Sequence, residues 1–138
     1  MQTTRDYLLE YGIRPSVQRI AVMNYLRTHF THPTVDEIYL ALIDDIPTLS
    51  RTTVYNTLKL LVRHGAVAAI DIDRQCERFD ADISIHAHFM CDECGCIMDI
   101  AVPDSSFLTA SAPEEVEIRS INLNYKGVCG KCCKKKRS

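Results

Sequence analysis

The chain has 138 residues, a formal net charge of −2 and 46% hydrophobic residues, a size that fits one compact unit or two small ones. That charge balance excludes blanket affinity for nucleic acid, though not a local reading surface. The longest apolar runs fall short of the about 18 residues a membrane span needs, and Met1-Gln-Thr-Thr-Arg-Asp6 has no apolar signal core, so a cytoplasmic protein without a membrane partner is expected.

In chain order, Thr3 to Tyr11 reads as a short helix ended by Gly12, a residue tolerant of positive φ. Ser16 caps a second helix to about Thr28, with Val17, Ile20, Ala21 and Met23 at helical spacing. Thr34-Val-Asp-Glu37 is a capping box opening a third, with Ile38 and Leu42 as its buried stripe. Pro47 stops the chain, and Ser50 caps a fourth helix from Arg51 to about His64, closed by Gly65. Val67 to Ile72 and Glu77 to Phe79 then flank Asp73-Arg74-Gln75 as a small hairpin. Helices followed by a two-stranded wing predict a winged helix-turn-helix. In the fourth helix Val54, Leu58 and Leu61 face inward, which leaves Arg51, Thr52, Thr53, Tyr55, Asn56 and Lys59 at its N-terminal end and outer face. Those residue types bond phosphates and base edges, and this part of a recognition helix enters the major groove. With the isolated Arg14 and Arg19, they form the expected DNA-binding set.

Composition shifts after Asp80. From Ile83 the chain reads as strand, cysteine knuckle, strand over Ile97 to Val102, a loop or short helix after Pro103, and a last strand around Glu115 to Tyr125. Lys134 to Arg137 are expected to form a solvated basic tail. The predicted class is α+β: a winged-helix domain over 1–79, a hinge at 80–84 and a small α/β dimerisation and metal-binding domain over 85–138. A unit of about 55 residues is marginal unless stapled by metal or completed by another subunit, and both are expected.

The metal ligands come in two kinds. Cys91-x-x-Cys94 and Cys129-x-x-Cys132 supply four thiolates, the set that holds structural Zn(II). The seven cysteines are odd in number, which fits metal thiolates in a reducing compartment better than disulfides. Cys96 and Cys133 leave some latitude in the assignment, since Cys96 would break the x₂ spacing and Cys133 would make it x₃. Cys76 reads as a bystander. His86 and His88, at i and i+2, share one face of a strand. His32, Asp80 and Asp99 are further donors, and a His₃Asp₂ set suits Fe(II) or Mn(II). A mononuclear site of this kind could also activate water or oxygen, but no independent general base is evident, and a regulator rather than an enzyme is expected.

These residues together resemble the Fur family of bacterial metalloregulators over essentially the whole chain. The matching motifs are Gln18-Arg19, His32-Pro33-Thr34, Asp36-Glu37-Ile38-Tyr39, Thr53 to Leu58, Arg78-Phe79-Asp80, His86-x-His88-x-x-Cys91-x-x-Cys94-Gly95 and Cys129-x-x-Cys132. The resemblance implies a homodimeric repressor that binds a palindromic double-stranded operator when loaded with divalent metal. It implies structural zinc on the four cysteines named, and regulatory metal on His32, Asp80, His86, His88 and Asp99. Within the family the chain looks most like the peroxide-sensing PerR branch, with Asp80 and Asp99 where iron sensors commonly carry Glu and no histidine after His88. That implies oxidation of His32 or His86 by hydrogen peroxide when iron is bound. An iron-responsive Fur is the alternative, with zinc or nickel sensing behind it. Ser16 where Thr is common and Cys96 beside the knuckle depart from the pattern, the latter offering a thiol response.

Overall fold

The computed structural model describes residues 2–104 and 106–137, and of 136 and 137 the backbone only. The chain forms two compact units, Met1–Ile83 and Ser84–Ser138.

The first unit opens with four helices: α1 (Thr4–Glu10), α2 (Val17–Thr28), α3 (Val35–Leu42) and α4 (Arg51–Arg63). Each start is set by a hydroxyl that accepts a backbone N–H otherwise lacking a partner. Thr3 serves Asp6, Ser16 serves Arg19, Thr34 serves Glu37 and Ser50 serves Thr53. Gly12 (φ +73°) and Gly65 (φ +79°) take the left-handed conformation just beyond α1 and α4, which glycine adopts without a Cβ clash. The apolar stripes meet in one core of Leu8, Ile13, Val22, Met23, Leu26, Ile38, Leu49, Val54, Leu58, Leu61, Ala66, Val67 and Phe79.

Strands β1 (Ala68–Ile70) and β2 (Arg78–Asp80) follow as an antiparallel pair, Ala68 opposite Asp80 and Ile70 opposite Arg78. This is the wing expected from sequence, with a shorter first strand, a second strand moved on by one residue and a longer connecting turn. Asp80 is the last residue of β2. Together these elements make a winged helix-turn-helix.

The second unit holds a sheet in the order β4-β3-β5. Strand β3 (His86–Cys91) pairs antiparallel with β4 (Ile97–Ala101) and parallel with β5 (Asn124–Gly127). A 3₁₀ turn spans Ser106–Leu108, and α5 covers Gly130–Arg137. One expectation is corrected here. The last strand occupies 124–127, not 115–125, because only those residues find ladder partners on β3, and Tyr125 is exposed. The basic run lies on α5, where Lys134 and Lys135 are exposed to solvent, while the side chains of Lys136 and Arg137 lie outside the described residues. Among the described residues only Ala87, His88, Cys91 and Cys129 of this unit are buried. It has almost no apolar core.

Candidate metal centres and nucleic-acid surface

The thiol cluster is built by three local devices. Gly95, at φ +74°, folds the knuckle back so that Gly95 N–H donates to the Cys91 carbonyl at 2.9 Å and Cys91 N–H to the Cys96 carbonyl at 3.0 Å. The parallel register sets Cys91 opposite Gly127, which delivers Cys129 beside it, and α5 carries Cys132 inward. The sulfurs of Cys91, Cys94, Cys129 and Cys132 lie within 4.8 Å of one another. The Cys94 and Cys129 Sγ atoms are 3.7 Å apart. A tetrahedron with zinc–sulfur bonds of about 2.3 Å has edges of about 3.8 Å, so the cage has the right size.

Its electrostatics call for a cation. The Cys91 thiol is pulled down to about 6, first by the Cys129 N–H and then by that of Cys94; these donate at 3.3 and 3.5 Å. Cys129 is lowered, first by the Cys132 N–H. Cys132 is pushed up to about 12, chiefly because its thiol bonds to Cys129. Two thiolates are thus favoured by backbone dipoles, while further ionisation meets negative neighbours. A divalent ion at the centre removes that conflict, and the donor set fits zinc. Cys96 is exposed and its thiol is raised to about 12, chiefly by a bond to Cys94. Cys133 Sγ faces the Val128 carbonyl at 3.5 Å. Cys76 is exposed in the wing turn.

The second donor set is placed as two halves, one in each unit. In the second unit, strand periodicity puts His86 and His88 on one face, and register sets His88 opposite Asp99. The His86 and His88 Nε2 atoms lie 3.6 and 3.5 Å from the same Asp99 Oδ1. His86 Nδ1 is 2.8 Å from the Ser84 carbonyl, which assigns the proton to Nδ1 and leaves Nε2 as a lone-pair donor. In the first unit, His32 Nε2 lies 3.6 Å from Asp80 Oδ2, with both side chains buried. Asp80 Oδ1 accepts the Asp82 N–H at 2.9 Å. Nitrogen and carboxylate donors at these separations fit a hard or borderline dication, whose ligand atoms stand about 3–3.5 Å apart.

The winged helix carries the other surface. On α4, Val54, Thr57, Leu58 and Leu61 are buried, while Arg51, Thr52, Tyr55 and Asn56 are exposed and Thr53 and Lys59 half-buried. A groove of about 690 Å³ is lined by Arg14, Ser16, Gln18, Arg19, Thr53, Asn56 and Arg63, among others. Arg51 and Lys59 sit differently from the rest of the expected set. Arg51 Nε donates to Asp36 at 2.8 Å and stacks over Tyr39. Lys59 Nζ donates to Glu77 at 2.9 Å beside the Tyr55 ring. Gln18 stands in the sequence reading only as part of the Gln18-Arg19 motif, and neither it nor Arg63 is in the expected DNA-binding set. Arg63 reads there as the dipole-satisfying cation of a helix end, and only the groove gives it a second meaning.

Residues 10–126 match the model of the ferric uptake regulator family. The chain belongs to that family. It is 35% identical over 127 residues, 91% of its own length and 86% of the other, to the peroxide-responsive repressor PerR of Staphylococcus aureus strain Mu50. Among solved structures it is similar to the Campylobacter jejuni peroxide stress regulator, with TM-score 0.68 and 26% identity over 93% of this chain and 95% of that one. The Helicobacter pylori ferric uptake regulator Fur, described as having three functional metal binding sites, shares the fold at TM-score 0.72 and 21% identity, covering 94% and 88%. The protein is a Fur-family metalloregulator. Among the described residues no helix is long and apolar enough to cross a membrane.

Proposed function

We propose that the protein is a homodimeric, metal-dependent transcriptional repressor that senses hydrogen peroxide, with structural zinc on Cys91, Cys94, Cys129 and Cys132. The observation that carries the metal-dependent reading is the pairing of two chemically distinct donor sets on one chain. One is a closed thiol cage; the other is histidine and aspartate. Either half alone would leave half or more of the positions of a six-coordinate ion to water. We assign His32, Asp80, His86, His88 and Asp99 jointly to Fe(II) or Mn(II), with residues 80–84 as the hinge whose freedom the ion removes. The orientation of two recognition helices in a dimer is then set by occupancy, which is what a palindromic operator reads. Phosphates and base edges are assigned to Arg14, Arg19, Thr52, Thr53, Tyr55 and Asn56. Arg51 and Lys59 contribute by exchanging their carboxylate partners for DNA.

What supports peroxide as the signal is the similarity to PerR proteins together with aspartate at both carboxylate positions. Iron, held by these donors, would supply the reduction of peroxide. The chain's own residues orient the imidazoles, His86 through the Ser84 carbonyl and His32 beside Asp80, and these two are the assigned targets of oxidation. Manganese loading gives repression without that damage. For dimerisation, the support is the unit's thin core and its exposed Met98, Ile100, Phe107, Val116, Ile118 and Tyr125, apolar surface that a second copy would cover.

The test combines operator binding with mass spectrometry. Mn(II) should raise the operator affinity of the zinc-loaded dimer at least tenfold, and H86A should abolish that gain with zinc retained. Dilute peroxide should add one oxygen to the His32 or His86 peptide in iron-loaded protein and not in manganese-loaded protein. Operator binding indifferent to Mn(II) refutes the switch. A metal response with no histidine oxidation selects iron sensing instead, and oxidation confined to Cys96 or Cys133 selects a thiol sensor.

A further inference from the structure

His32 sits in a conformation that its own chemistry disfavours. Its φ is +56°, costly by about 1 kcal/mol or more for a residue with a Cβ, and it precedes Pro33, where extended backbone is the rule. The restraint comes from β2. Arg78 Nη1 donates to the His32 carbonyl at 3.0 Å. Phe79 N–H donates to the Pro33 carbonyl at 3.0 Å, and Thr34 bridges to Arg78 along the backbone. The other edge of the same guanidinium grips the wing turn: Nε and Nη2 lie 3.3 and 3.2 Å from Asp73 Oδ2. Asp73 Oδ1 in turn accepts the Gln75 N–H at 2.9 Å. Arg78 and Asp73 side chains are only 19% and 12% exposed, so the pair is shielded from solvent screening. One planar fork therefore spans the left-handed turn and the wing, which a lysine could not do.

We propose that Arg78 is a positioning residue for the regulatory ion: it fixes the turn that presents His32 and ties that ligand to the wing turn at Asp73 to Gln75. This rests on His32 being a ligand, as assigned above. Occupancy at His32 and Asp80 then stiffens the wing from behind, through a residue that touches neither the ion nor the operator.

The test uses the full-length, zinc-loaded protein and Mn(II) alone as probe, comparing wild type, R78K, R78Q and H32A. Binding is followed by the paramagnetic resonance signal of uncomplexed Mn(II), zinc by elemental analysis, and the Gln75 amide by hydrogen exchange. Residues that orient ligands typically govern about 10- to 100-fold in metal affinity. R78K should weaken Mn(II) binding about tenfold and R78Q more, with one zinc per chain retained. Mn(II) should slow exchange at the Gln75 amide in wild type and not in R78K, an effect that a purely structural arginine would not produce. Wild-type Mn(II) affinity in R78K and R78Q, with H32A weakened, overturns the proposal. Wild-type affinity in H32A overturns the ligand assignment beneath it. Should R78Q lose its helical signal, R78K decides alone. A Gln75 amide indifferent to Mn(II) in wild type refutes the tie to the wing.

Discussion

Arg63 sits at the end of α4 on the wall of the groove that also holds Arg14, Arg19, Thr53 and Asn56, and it is where the residue-scale reading of the DNA surface is sharpest. If the groove follows a phosphate run, R63A should weaken operator binding uniformly across sequences and lower the salt slope by about one. Titrations at several salt concentrations check this; an unchanged slope would remove Arg63 from the interface. Spacing alone did not reveal it, because an arginine in the last helical turn already has a local explanation. His32 was legible as a candidate ligand, but its backbone was not: a residue before proline is ordinarily extended, whereas His32 has φ +56° and its carbonyl accepts from Arg78, far along the chain. The Cys91–Cys94 knuckle was legible, since a short fixed spacing and a turn glycine determine it locally, while the choice between Cys132 and Cys133 depended on α5.

At the scale of elements, the helices were readable because their signals are local: a hydroxyl cap, an apolar stripe, a glycine stop. Ser50 illustrates how much one cap carries. Its Oγ accepts the Thr53 N–H at 3.1 Å and lies 2.9 Å from the Thr53 hydroxyl. S50A should destabilise the first unit by about 1 kcal/mol, a loss that urea unfolding followed by helical ellipticity would register. S50T should restore most of it, and equal midpoints for all three proteins would mean that α4 starts without this cap. The last strand was not readable in the same way. Alternation at Ile121, Leu123 and Tyr125 suggested an earlier start, yet β5 is defined by parallel pairing to β3, a non-local partner that no window of sequence contains. The wing strands differ from expectation for the same reason, the first shortened and the second shifted by one, with Asp80 facing Ala68.

At the scale of the whole molecule, the two units differ in what holds them. The first buries a continuous apolar cluster, whereas among the described residues the second buries two cysteines, a histidine and an alanine. Stripping zinc with a chelator should therefore unfold residues 84–138 and leave the helical unit standing. Calorimetry should show one transition becoming two, or the first vanishing, with the helical signal of α1 to α4 persisting. A single unshifted transition after complete zinc removal would contradict the role assigned to the cage. The thinness of that second core also reaches into the life of the protein in a cell. If zinc fills the cage, a newly made chain that has not yet acquired it would expose a stretch open to proteases, and the number of working regulators would follow zinc supply, whatever signal the histidine and aspartate donors report.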